Sequence, residues 1–367
     1  MRPGLRRALA VLAVLAAGAA LAASARAQGL TTTADEERKR FLADDQCYVC
    51  HLDEDMLPEG FDDGDVHVQH GLSCAGCHGG DPTSDDEEVA MSEAAGFVGA
   101  PGKRRIAEFC GRCHSSIDFM RRYQPRIPTD QVAQYYTSRH GQKLREGDTR
   151  VADCTSCHTA HAIHSASDAR STVHPLHVPD TCNHCHGDAK RMASYGIPTD
   201  QHEKYAGSVH GVALLENQDT GAPACNDCHG NHGALPPGLA SISQVCGTCH
   251  VNNLQYFSAT RMAEAFEEEG FHGCEECHGN HAIAHATDDM VGTTNDAVCT
   301  DCHDDGDKGW ESAAAIREQL RTLTTTYDEA LARQEEVQRK GMDDVDIEYL
   351  LQESHQSLIQ ARTLVHT

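Results

Sequence analysis

The chain has 367 residues and a formal charge of −26, with 18 Cys and 25 His against only 8 Phe, 9 Tyr and 1 Trp. That balance excludes an ordinary enzyme domain built on an aliphatic and aromatic core, so something other than side chains must supply buried apolar area. The negative charge excludes nucleic acid and anionic membrane as partners, and a single long apolar run excludes a polytopic membrane protein.

The N-terminus reads as a secretory signal peptide. Arg2, Arg6 and Arg7 precede an Ala/Leu/Val run from Ala8 to Ala23, and Ala25-Arg26-Ala27 supplies a small-x-small cleavage pattern. Cleavage near Ala27 removes four Arg and no acid, which takes the formal charge to −30. No second run of spanning length follows, so the expected mature chain is exported, periplasmic or extracellular, with no stable membrane span.

All eighteen cysteines then fall into one motif. The pairs Cys47/Cys50, Cys74/Cys77, Cys110/Cys113, Cys154/Cys157, Cys182/Cys185, Cys225/Cys228, Cys246/Cys249, Cys274/Cys277 and Cys299/Cys302 are each C-x-x-C. Each is followed at once by histidine: His51, His78, His114, His158, His186, His229, His250, His278 and His303. Disulfides and zinc ribbons also use paired cysteines, but neither requires His after every second Cys. C-x-x-C-H is the attachment motif of c-type haem. Two thiols form thioethers with the haem vinyl groups, and the adjacent imidazole takes the proximal position on the iron. The expected cofactor content is nine covalently bound haem c.

The chain repeats at the level of two sites. From Cys110 and from Cys182 the sequence runs through IPTDQ (Ile127 to Gln131, Ile197 to Gln201), a Tyr eight residues after that Ile (Tyr135, Tyr205) and a His-Gly pair (His140-Gly141, His210-Gly211). Each copy then reaches a second attachment site with a His three residues beyond it, His161 and His232. Shorter versions flank them. Cys246 leads to His272-Gly273 and CEECHGNH ending at His281; Cys47 leads to His70-Gly71 and CAGCHGGD, with Asp81 in place of the last His. The expected domains are four two-haem modules at about 45–109, 110–181, 182–245 and 246–298, a ninth haem at 299–303, and a tail at 304–367.

The expected fold is mainly α with much irregular chain and almost no β. Each attachment site should form a helical turn, with short helices at 104–122 and 258–269. In the tail, Ile316, Leu320, Leu323, Tyr327 and Leu331 form a helical stripe. Gly341 breaks it, Asp343 or Asp344 caps a second helix, and Leu351, His355, Leu358, Arg362 and His366 share one face. A helical hairpin folding back on the haems is expected. The acidic runs at Asp53 to Asp65 and Asp81 to Glu93 read as solvated loop, with a calcium site or a docking patch for a basic partner as the sharper alternative.

Nine haems need nine further axial ligands if each is six-coordinate, and 16 His lie outside the motifs. The candidates are His70, His140, His210 and His272 of the His-Gly pairs, and His161, His232 and His281 at the +3 position. The last three follow their own proximal His too closely to reach the other face of the same haem, so each should serve a neighbouring one. His366, with His355 as rival, and His177 or His174 complete the set. His67, His164, His184, His202 and His285 read as spare. Met120 and Met192 match each other in register and read as packing.

In these features the chain, over residues 47–303, resembles multihaem c-type cytochromes of the doubled C-x-x-C-H class. The alternating S-x-H-G and C-x-x-C-H-x-x-H pattern is similar to that of periplasmic and extracellular electron-transfer cytochromes of respiring bacteria. The tail ending in ARTLVHT resembles the C-terminal helices of the hydroxylamine oxidoreductase and pentahaem nitrite reductase lineage, although the C-x-x-C-K site of those reductases is absent. The resemblance implies an electron carrier in anaerobic or related respiration. Its partners would be other redox proteins, among them a membrane quinol-oxidising protein or an outer-membrane conduit. The alternative is a multihaem reductase or oxidase of a small nitrogen or sulfur compound at one open haem. His at all nine sites, with His to spare, favours the carrier, and no catalytic residue is assigned.

Overall fold

The computed structural model describes residues 41–57, 61, 64–234, 242–342 and 344–366. The signal-peptide reading of residues 1–27 and the capping role considered for Asp343 lie outside them. Among the described residues the regular structure is helical, with no strand, and no helix is long and apolar enough to cross a membrane. The chain divides into two compact units, one ending at His177 and one starting at Val178.

The first unit is a string of short helices, from three to nine residues long, most begun by a local side-chain cap rather than by a long apolar face. The expected helix over 104–122 is two helices, Ile106–His114 and Ile117–Tyr123. Ser116 stands between them in extended conformation and accepts from the Phe119 N–H, which starts the second helix afresh. Protein-derived core is sparse. Leu42, Phe61 and Val68 form one cluster, with Phe41, Tyr48 and Leu57 against it. Met120 is buried in this unit, as Met192 is in the other, in keeping with a packing role.

The second unit carries the same kind of short helices and then the tail. The expected helix over 258–269 begins later, as Arg261–Glu269, because Thr260 caps it and separates it from Val251–Ser258. The tail forms Lys308–Arg339, capped by Asp307, and Val345–Thr363, capped by Asp344. Between them Gly341 takes a φ of +76°, a conformation that costs glycine little. Leu320 and Leu358 are the buried leucines of the hairpin, whereas Leu323 of the predicted stripe is exposed. Ionic contacts tie both helices to the loop before Cys299. Arg362 holds Asp288 through two nitrogens at 2.8 and 2.9 Å, Thr324 donates to the same carboxylate, and Arg317 pairs with Asp289.

Candidate haem sites and their histidine pairs

A helical turn explains the attachment motif. Cysteines three apart lie on one helix face, and the following His completes the turn beside them. The second site of each module is a one-turn helix: Cys74–His78, Cys154–His158, Cys225–His229 and Cys274–His278. Most first sites instead lie in a longer helix, such as Ile106–His114 or Val178–His186. The residue after each second-site His turns sharply away at positive φ and extended ψ, a region essentially reserved for glycine. Gly79, Gly230 and Gly279 fill it without cost, whereas Thr159 adopts it at φ 66°, ψ 171°.

None of the eighteen cysteines forms a disulfide, so every predicted thioether position keeps its sulfur available for a haem vinyl group. The second cysteine of a pair is often the more open one. Cys50, Cys228, Cys249 and Cys302 are exposed, whereas their partners Cys47, Cys225, Cys246 and Cys299 are half-buried. Local bonds hold these second positions in their turns. The Cys50 carbonyl accepts from the Glu54 N–H at 3.0 Å, and Thr248 Oγ1 lies 3.9 Å from Cys249 Sγ. Cys157 and Cys185 stay half-buried like their partners Cys154 and Cys182. The Cys157 carbonyl accepts from Thr172 Oγ1, and Arg191 Nη1 donates to Cys185 Sγ. A thioether at Cys185 would keep both sulfur lone pairs and could still accept from Arg191.

The thiols show how the sites follow one another. In three modules the first cysteines of the two sites meet: the Cys110 thiol hydrogen-bonds that of Cys154, Cys182 that of Cys225, and Cys246 that of Cys274. That contact lowers the pKa of Cys110 and Cys246 and raises that of Cys154 and Cys274. Between successive sites the neighbour is different. Cys77 is raised by burial and then by Cys113, Cys228 by burial and then by Cys246, and Cys277 by burial and then by Cys299 and Cys302. Each of these second sites therefore adjoins the first site that follows it, and the ninth site sits beside Cys277 in that same relation.

Five of the histidines that directly follow a C-x-x-C pair face another histidine across a gap of one size. The ring centres are 6.1 Å apart for His67 and His114, and 6.1 Å for His78 and His161. They are 6.2 Å apart for His210 and His250, 5.9 Å for His229 and His281, and 6.0 Å for His278 and His366. A metal-bound imidazole nitrogen lies about 2 Å from the metal and its ring centre about 1 Å farther, so two imidazoles trans across one iron have centres about 6 Å apart. The residues fit the cofactor that the motifs imply. Their protonation agrees, because burial, and then the facing imidazole, lowers the pKa of His210, His278 and His281 and favours the neutral, metal-binding form. Nδ1–H of His78 donates to the Gly99 carbonyl at 3.0 Å and that of His366 to the Thr363 carbonyl at 2.8 Å. A carbonyl only accepts, so each contact fixes the tautomer that leaves Nε2 for a metal.

A repeated capped turn positions His140 and His210, the latter one member of the His210–His250 pair. Ser138 Oγ donates to the Tyr135 carbonyl at 2.6 Å and accepts from the Gly141 N–H at 3.0 Å; Ser208 does the same with Tyr205 and Gly211. His140 and His210 stand second in the helices so begun. Gly141 and Gly211 follow because a Cβ there would strike the carbonyls of Tyr135 and Tyr205. The tyrosines reach onward: Tyr135 Oη donates to the Ala152 carbonyl and Tyr205 Oη to the Pro223 carbonyl, each two residues before a second attachment site. Burial pushes the Tyr205 phenol up to about 12.

In the first module the same place belongs to His67, which the sequence reading set aside as spare. Asp65 is the cap, accepting from the N–H groups of His67 and Val68. Burial alone would raise the Asp65 carboxyl, but hydrogen bonds from His67 and the Ile163 N–H outweigh it and hold it low. The two units repeat this arrangement. Val66 N–H donates to the Ile163 carbonyl at 2.8 Å, and Val209 N–H to the Ile283 carbonyl at 2.9 Å, in each case two residues after the +3 His. The usable signal was the residue two before the histidine, Asp65 or Ser208, rather than the glycine after it. His70 lies exposed, with its ring 6.4 Å from that of Tyr123.

The other candidates are placed as follows. His161 and His281 face second-site histidines of the preceding module, His78 and His229, as their closeness to their own proximal His required. His366 faces His278, and its rival His355 stacks on Tyr327 instead, at 5.4 Å. His140 is half-buried behind its cap, and His232 half-buried after Asn231. His272 contacts Glu275 through Nδ1. His174 and His177 lie ring to ring at 5.8 Å, and His177 Nδ1–H donates to the Ser171 carbonyl. Of the remaining histidines, His164 donates to the Gly64 carbonyl, His202 lies 3.1 Å from Asp180, and His184 and His285 are exposed. Asp81 accepts from Thr83 in its loop. No cluster of three metal-donor side chains occurs among the described residues.

Residues 66–186 match the cytochrome c3 family, and residues 16–79 match the cytochrome c554 and c-prime family. No curated protein and no solved structure matches the chain. The two family matches support a multihaem c-type cytochrome with covalently bound haem that carries electrons.

Proposed function

We propose that the chain is an exported nonahaem cytochrome that takes up electrons from one redox protein and passes them along its haems to another in a respiratory chain. The observation that carries this reading is the set of five facing imidazole pairs with ring centres 5.9–6.2 Å apart. On this reading His114, His78, His250, His229 and His278 are proximal ligands, and His67, His161, His210, His281 and His366 are their distal partners. The nine cysteine pairs hold the haems by thioether bonds, with His51, His158, His186 and His303 as the remaining proximal ligands.

Bound haem supplies a reversible one-electron change at iron. The chain does the rest. The two imidazoles of each pair would hold a haem iron between them, so the five paired sites would leave no position for a substrate, which favours a carrier over a reductase. Within each unit, the cysteine contacts between successive sites support transfer along the order of attachment. Ser138, Ser208 and Asp65 hold the distal turns still, so that ligation persists through each change of iron charge. The strongly acidic surface suits redox partners with a basic docking face. The signal-peptide reading of residues 1–27 supports export. The resemblance of the tail to the hydroxylamine oxidoreductase lineage is kept to its helices and its final histidine.

The test is the intact mass and the oxidised spectrum of the matured protein. A mass excess of nine haems with a predominantly low-spin spectrum supports the reading; seven haems or fewer in a fully matured preparation overturns it.

A further inference from the structure

We infer that Met262 is the sixth ligand of the haem at Cys299 and Cys302, which makes that haem a His/Met site at the end of a series of His/His sites. The inference rests on the haem reading proposed above and adds to it a ligand that the histidine pattern does not contain.

The capped turn that presents His140 and His210 occurs twice more without a histidine: Ser92 bonds the Val89 carbonyl and the Ala95 N–H at 2.8 and 3.1 Å, and the turn at Thr260 also begins a nine-residue helix. Thr260 Oγ1 donates to the Phe257 carbonyl at 2.7 Å and accepts from the Ala263 N–H at 3.0 Å. These are the two bonds that Ser208 makes to Tyr205 and Gly211, at 2.6 and 3.0 Å. The cap residues share an extended backbone, Thr260 at φ −95°, ψ 157° and Ser208 at φ −80°, ψ 165°. Phe257, Thr260 and Ala263 thus stand for Tyr205, Ser208 and Gly211, and Met262 stands where His210 stands. Like His67, His140 and His210, it is the second residue of the helix that the cap begins.

The register then names the iron. His67 faces His114 and His210 faces His250, so within each unit the capped turn serves the first attachment site of the next module. For the turn at Thr260 the next such site is Cys299/Cys302/His303. The separation from Met262 to Cys299 is 37 residues, beside 36 from His210 to Cys246 and 43 from His67 to Cys110. The ninth site also adjoins Cys277 as the Cys246 site adjoins Cys228. It is the first half of a fifth module whose second half is missing. His366 of the tail meets His278, where that missing half would have supplied a +3 histidine.

Both partners are prepared for the role. His303 Nδ1 lies 3.2 Å from Asp307 Oδ2, an arrangement that directs the ring proton away from Nε2. Met262 is 40% exposed, whereas Met120 and Met192, which pack, are 6% and 5% exposed. His272, the nearest histidine by sequence register, lies two residues before Cys274. That is the place of Ala152 and Pro223, whose carbonyls anchor the tyrosines. A thioether is a softer and weaker donor than imidazole and favours ferrous iron, so a His/Met haem has the higher potential. Electrons entering the series would collect at the Cys299 haem, which becomes the exit.

The test uses the matured holoprotein and three single variants. The oxidised wild type should show an absorption band at about 695 nm with the intensity of one haem in nine. Met262→Ala should abolish it and open one haem to CO in the reduced state. Met262→His should abolish it without opening a haem, and should move the most oxidising step of the redox titration to lower potential. His272→Ala should leave the band in place. A wild type with nine haems by mass and no such band overturns the inference and leaves the haem reading standing. A band that survives Met262→Ala, or that is lost in His272→Ala, also overturns it. A mass short of nine haems would instead strike the haem reading itself.

Discussion

His366, in the last turn of the tail, lies ring to ring with His278, 88 residues earlier, at 6.0 Å and 25° between planes. The tail has no C-x-x-C-H motif of its own, yet it brings an imidazole to His278, which follows the Cys274/Cys277 pair. Arg362, one turn before His366, grips Asp288 and fixes the depth at which the helix docks.

His366→Ala should therefore leave nine haems attached and create one that binds CO when reduced. Deletion of residues 342–367 should do the same. His355→Ala should create none, because His355 stacks on Tyr327 within the hairpin. CO difference spectra of the three proteins check this, and a fully low-spin, CO-silent His366→Ala would remove the tail from the ligand set.

His67→Ala should open the haem of His114, and His70→Ala should not. The two differ in their place relative to the Asp65 cap. A high-spin signal in the His70 variant alone would reverse the assignment.

Tyr135→Phe and Tyr205→Phe should keep all haems and lower stability by about 1–2 kcal/mol each. Each removes a donor from a carbonyl beside an attachment site. Urea denaturation of the holoproteins reads the loss.

Thr159→Gly should raise stability by about 1 kcal/mol, since a β-branched residue occupies a backbone region that costs glycine little. The threonine hydroxyl bonds the His161 carbonyl at 2.7 Å, which offsets part of the gain. A variant less stable than wild type would show that this bond outweighs the strain.

Arg362→Ala should cost about 1 kcal/mol at neutral pH, the modest figure reflecting a partly exposed pair. The pair's pH dependence follows from Asp288, whose carboxyl is held below its usual range chiefly by the Arg362 hydrogen bonds. A depressed folded-state pKa gives stability above the ordinary carboxylate range and loses it as pH falls through the folded value. The difference between wild type and variant should therefore be full at pH 7 and shrink in acid. Urea midpoints across that range measure it.

Much of the site was readable in the sequence because covalent haem attachment demands a local motif, and the duplicated IPTDQ segment set a register between modules. The distal ligands were harder for a physical reason. His78 and His161 are 83 residues apart, and only folding brings them face to face. His70 and His272 carry the His-Gly pair, yet His70 lies exposed near Tyr123 and His272 contacts Glu275. His67, His140 and His210 instead share a cap two residues earlier, Asp65, Ser138 or Ser208, so that signal is spread over two residue types. Caps also divide the helices that apolar spacing alone joins, at Ser116 and Thr260. The tail was legible as two helices because long amphipathic segments carry their period plainly. Leu323 is exposed all the same, because the hairpin buries only a narrow face.

The central claim is that facing imidazoles hold iron between them. Low-temperature EPR of the fully oxidised holoprotein, with spins quantified against a haem count by mass, tests it most directly. The account predicts nine haems, with low-spin ferric signals for at least the five sites whose histidine pairs stand 5.9–6.2 Å apart. More than four high-spin irons in a nine-haem preparation would contradict it.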